Sequence, residues 1–165
     1  MKVRQIAAIV ALLSAPYYAQ ACLADGGVDG AIFASPAGTF EVAVAFHQAQ
    51  KQGEISRSNQ ANWLTVQFLL MQKLQAGYSN QVFDVTLFDM AGQHFYRLIG
   101  DGKQVRLLPH EIPNKDYAEV VVTDVDVLTA MVRGKLSFSQ AQTLGVVFNA
   151  EVSTPFEHLM QKSFS

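Results

Sequence analysis

From residue 81 the apolar positions recur every second residue. Phe83, Val85 and Leu87 alternate with Asp84 and Thr86, the period of a half-buried strand. Asp89-Met90-Ala91-Gly92 supplies turn chemistry, and residues 95–99 predict a second strand. Gly100-Asp101-Gly102 turns again, and residues 105–108 predict a third strand that Pro109 ends. Loops this short make an antiparallel meander, since parallel neighbours need a long crossover. A fourth strand is expected over residues 118–122 and a last one at Val146-Val147-Phe148.

Elsewhere the period is helical. Residues 39–52 admit two readings, because Phe40, Val42, Val44 and Phe46 alternate. The Ala- and Gln-rich continuation and Gly53 favour a helix with Thr39 as its cap. A firmer helix starts at Ser58 or Asn59, runs through Ala76 and stops at Gly77. Its apolar residues Trp63, Leu64, Val66, Phe68, Leu69, Leu70, Met71 and Leu74 go nearly all the way round, which predicts burial on more than one side. Thr123 or Asp124 caps a helix with Val127, Leu128, Met131 and Val132 on one face, ended by Gly134. Ser137 and Gln140 match a capping box for a short helix that stops near Gly145. Pro155 opens a terminal helix bearing Phe156, Leu159 and Met160. The sum is an α+β domain: a mostly antiparallel five-stranded sheet with helices on one face.

The start of the chain follows a different logic. Lys2 and Arg4 precede a short apolar run over residues 6–13, then Pro16 and Ala19-Gln20-Ala21. A positive start, an apolar centre and an A-x-A end predict a cleavable secretory signal over residues 1–21, hence a periplasmic or secreted protein. Cys22 would then be the first residue, which raises the alternative of a lipoprotein anchored through its sulfur. Residues 22–38 read as a flexible leader, 39–77 as a helical segment, and 78–165 as the α+β region forming one globular domain with it. No later stretch reaches the roughly 18–20 apolar residues of a membrane-spanning helix.

Composition narrows the function classes. The chain has 165 residues, half of them hydrophobic and 16% charged, with a net charge of −2. That is too apolar for a disordered polymer and too acidic for a nucleic-acid binder. One cysteine gives no internal disulfide and no thiolate cage. His47, His94, His110 and His158 are scattered, and His110-Glu111 has Asn114 where a zinc helix needs its second histidine. Asp124 and Asp126 lack the further oxygens of a calcium loop and read as helix-start carboxylates. No nucleophile elbow or phosphate loop occurs, so no metal, cofactor or catalytic residue is expected. A small enzyme would have to draw its base from His94, His110, Asp84 or Asp89, and a pocket where two of them converge would support it.

The stretch 118–150 carries Asp124, Asp126, Leu128, Met131, Gly134, Lys135, Leu136, Ala141 and Gly145. In that order and spacing these residues resemble the second half of the sterol carrier protein type-2 domain family, and the meander before them has the length of that family's first strands. The resemblance spans residues 81–150 and departs from the family pattern at Phe138 and at Asn149-Ala150-Glu151. It implies a non-enzymatic protein that holds a lipid or other elongated apolar molecule, such as a fatty acid, acyl chain or isoprenoid, between sheet and helices. The lining residues it implies are Phe83, Val85 and Leu87 on the sheet, with Leu128, Met131, Leu136, Phe138, Leu144, Phe156, Leu159 and Met160 on or beside helices. The rival expectation is an envelope protein-interaction or scaffold module whose pocket is filled, motivated by the almost wholly apolar helix around Trp63 to Leu74. A packed interior without a tunnel would favour that rival.

Overall fold

The computed structural model describes residues 35–57, 63–113 and 117–165. The expected signal, Cys22 and the start of the second helix at residues 58–62 lie outside them. Five α-helices and one four-stranded sheet make up the described chain, which is therefore α+β. The helices are α1 (Thr39–Lys51), α2 (Trp63–Gly77), α3 (Val125–Val132), α4 (Phe138–Thr143) and α5 (Thr154–Ser163). The strands are β1 (Val82–Asp89), β2 (His94–Asp101), β3 (Val105–Pro109) and β4 (Val121–Thr123), in the spatial order β3-β2-β1-β4.

The meander forms as expected, with β1–β2 and β2–β3 both antiparallel. Tyr78 holds its second turn: its hydroxyl donates to the Gln81 carbonyl and accepts the Gly102 N–H at 2.7 Å. The outer edge of β3 is blunted, because the Gln75 side chain takes the Val105 N–H at 2.9 Å and Pro109 has none to offer.

The expected five-stranded, mostly antiparallel sheet needs correction. β4 runs parallel to β1, pairing Leu87 with Val121 and Asp89 with Thr123, so the sheet is mixed. The connection from Pro109 to Val121 supplies the length a crossover requires. β4 also starts later than expected, because residues Tyr117–Glu119 form a 3-10 turn. The expected fifth strand reduces to one antiparallel bridge between Phe148 and Val122. Left-handed residues stand close on both sides, Gly145 at φ 73° and Asn149 at φ 63°, and leave no room for a ladder.

Helix ends follow local chemistry with one exception. Asp124, rather than Thr123, caps α3 by accepting the Asp126 N–H at 2.8 Å. Ser137 and Gln140 form the full capping box of α4. Ser153 caps α5, with Pro155 in its first turn. The exception is α1, whose cap position is Gly38 at φ 85° while Thr39 is already helical, its hydroxyl donating to the Pro36 carbonyl.

Alternation along β1 and β2 sends Phe83, Val85, Leu87, Tyr96 and Leu98 to the face covered by α2, α3 and α5. Asp84 and Arg97 point the other way and form an exposed ion pair at 2.6 Å. Farther along that second face, Phe88 and Phe95 join Val120, Val122 and Val42 of α1 in a smaller cluster. α1 bridges both clusters, since its Phe46 and Ala49 belong to the main core.

Candidate functional site

Ten of the eleven residues expected to line a lipid site meet in the main core, and Leu144 packs half-buried against it. Their arrangement follows from the elements above: β1 contributes three at alternate positions, α3 two at i and i+3, and α5 three around its inner face. The segment after Gly134 adds Leu136 and the start of α4 adds Phe138. The space between them is nearly closed. A void of about 10 Å³ remains, with Leu87, Leu128, Met131, Phe138, Phe156 and Met160 among its walls. Phe83, Val85, Leu136, Leu144 and Leu159 do not reach it. Such a volume is about what one water needs, whereas small-molecule sites occupy roughly 300–1,000 Å³.

α2 does much of the filling. Leu70 and Leu74 stand in the void wall opposite Leu98 and Val121, and none of these four was singled out as lining from the sequence. The all-round apolar pattern predicts burial on more than one side, but the buried residues Val66, Leu70, Leu74 and Gly77 form a single stripe. The same helix also keeps apolar side chains outside. Leu64 is 73% and Phe68 68% exposed, one turn apart, and the exposed positions Thr65, Gln72, Gln75 and Ala76 beside them carry no charge. At the inner edge of this face Trp63 packs on Tyr96, ring centroids 4.5 Å apart.

Three of the four residues named as candidate bases gather at one end of the sheet. His94 is the register partner of Asp89, and the His110 ring stands edge-on to His94 at 4.9 Å. Asp84 lies out on the exposed face with Arg97. Asp89 is buried, and its oxygens accept backbone N–H bonds from Ala91 (3.2 Å), Gly92 (3.1 Å) and Val125 (2.9 Å). Burial pushes its pKa up to about 6, helped by the nearby Asp124 charge and opposed by the three N–H donors. Asp124 is raised for the same reason, loss of water, with Asp126 adding to the shift and Arg57 easing it. Both oxygens of Asp89 are thus spent on tying the β1–β2 turn to the start of α3, which is an architectural use. Among the described residues no three His, Cys, Asp or Glu side chains stand placed to hold a metal.

An open depression of about 530 Å³ lies at the surface where α3 ends, between Lys73, Lys135, Gln140 and Phe164. Met131 lines both this depression and the core void, and Leu136 lines the depression but not the void. No helix among the described residues is long and apolar enough to cross a membrane. Compared with models of protein families, with curated proteins and with solved structures, the chain finds no match, so its resemblance to the sterol carrier family rests on the residues quoted above alone.

Proposed function

We propose that this protein is a non-enzymatic interaction module of the cell envelope, with a sheet-and-helix core filled by its own α2. The observation that carries this reading is the void of about 10 Å³ where a lipid site would need to be. Export rests on the signal-like start of the sequence. The outer face of α2 is the docking surface. Leu64 and Phe68 project from it beside the neutral Thr65, Gln72, Gln75 and Ala76, with the exposed Lys73 farther round the helix, so it suits an uncharged apolar helix of a second protein. The lipid-carrier reading keeps one support, the convergence of its expected lining residues, and it requires the core to open roughly thirtyfold in volume to reach the usual size of a small-molecule site.

A photo-crosslinking side chain placed at position 68 in the living cell tests the docking surface. A discrete adduct that disappears in Leu64→Asp, with none from the same group at Lys135, is the expected result. Adducts of equal yield from both positions, or none from position 68, would overturn it.

A further inference from the structure

We propose that the surface depression where α3 ends binds a small oxyanion, a carboxylate or a phosphate, carried on an apolar body. The site is distinct from the docking face of α2 and uses neither Leu64 nor Phe68.

Its volume of about 530 Å³ lies within the range of small-molecule sites, roughly 300–1,000 Å³. Met131, Leu136 and Phe164, all buried, supply the apolar part of the lining. The polar part consists of donors. Lys73 on α2 and Lys135 after α3 bring two exposed ammonium groups. Neither forms an ion pair with a carboxylate among the described residues, and Ser165 on the rim is paired with neither. Ser137 and Gln140 have spent their acceptors inside the capping box of α4. The Ser137 oxygen accepts the Gln140 N–H at 3.1 Å, and the Gln140 side-chain oxygen accepts the Ser137 N–H at 2.8 Å. One hydroxyl hydrogen and one side-chain amide group therefore remain to be donated. Ser163 lines the same space, and its Oγ, beside Gly77, is buried with no hydrogen-bond partner.

Main-chain groups at the converging helix ends are already engaged. The carbonyls of Ala130, Met131 and Phe164 accept the N–H groups of Lys135, Gly134 and Phe138. The N–H groups that open α4 at Ser137, Phe138 and Gln140 are taken as well, so side chains alone are left to hold a ligand. No Asp or Glu side chain of the described residues lines the depression. Two unpaired cations and spare donors select an anion, and the buried Met131, Leu136 and Phe164 select one with a hydrocarbon part. The neighbouring depression of about 320 Å³ supplies a contrast. It shares Lys135, Leu136 and Gln140 but is bordered by Glu54, and Lys73 does not line it. The anion therefore belongs on the Lys73 side of Lys135.

Titration of the purified chain with phenyl phosphate and phenylacetate, followed by amide NMR, tests the site. At least one of the two should give saturable shifts at Gly134, Leu136 and Gln140, and the tighter one identifies the oxyanion. Inorganic phosphate has the charge without the ring, and benzyl alcohol the ring without the charge. Each should bind at least about threefold more weakly than the tighter probe. Lys73→Gln and Lys135→Gln should each weaken binding about twofold to fivefold, the range of a partly exposed ion pair. Raised salt should weaken it in the unmodified chain, a readout that needs no variant. Shifts that never saturate, equal binding of either fragment, or an affinity indifferent to salt and to both lysines would overturn the proposal.

Discussion

Gly38 is specified twice over. It holds φ at 85° where α1 begins, and the Phe148 ring lies where a Cβ would stand. Gly38→Ala should cost about 1–3 kcal/mol, measured as a lowered urea midpoint, because both the backbone and the ring must give. An unchanged midpoint would mean that Phe148 moves aside freely. Asp89 predicts the pH response. Its folded pKa of about 6 exceeds the ordinary 3.8, so the folded chain holds the proton more tightly than the unfolded one. Its contribution is complete below pH 4 and is lost as pH rises through about 6, an effect of up to about 3 kcal/mol for this buried group. Asp124 acts in the same direction. Urea melts should show stability declining over that window, with a flatter profile in Asp89→Asn. What single side chains do was legible where the partner is local. The Ser137–Gln140 box follows from spacing alone, and spacing narrowed the cap of α3 to Thr123 or Asp124. Gly38 was not legible, because its constraint comes from a ring 110 positions away in sequence.

The helices divide into those set by their own sequence and those set by what they meet. Ser137→Ala should cost about 1 kcal/mol, since both arms of the capping box are formed. Within α2 the two faces should respond oppositely to substitution. Leu74→Ala leaves a gap in the core and should cost about 2–5 kcal/mol in thermal or urea unfolding. Phe68→Asp removes mainly exposed surface and should change stability by no more than about 0.5 kcal/mol. Equal losses at both positions would show that the outer face is packed in solution. All-round apolarity announced that this helix is special, but not that Leu64 and Phe68 would stay outside while Leu70 and Leu74 filled the interior. The strands tell a similar story. Alternation located β1, β2 and β3, whose partners are adjacent hairpin arms. It overstated residues 146–148, where β-branched and aromatic side chains suggested a strand that the flanking left-handed Gly145 and Asn149 do not allow to extend. The direction of β4 depends on a distant partner, and no local pattern records it.

Across the molecule, periodicity told which side chains turn inward, and nearly all the expected lining residues do meet. It carried no information on whether they meet with space between them. That is a matter of summed volumes, and here the side chains of α2, α3, α4 and α5 close against the sheet to leave about 10 Å³. The difference separates a carrier from a module that acts through its surface. Native mass spectrometry of the purified, delipidated chain mixed with excess long-chain fatty acid decides between them. A closed core predicts the mass of the polypeptide alone. A one-to-one adduct that survives gentle activation would show that the interior opens to a guest, and would contradict a module with a filled core.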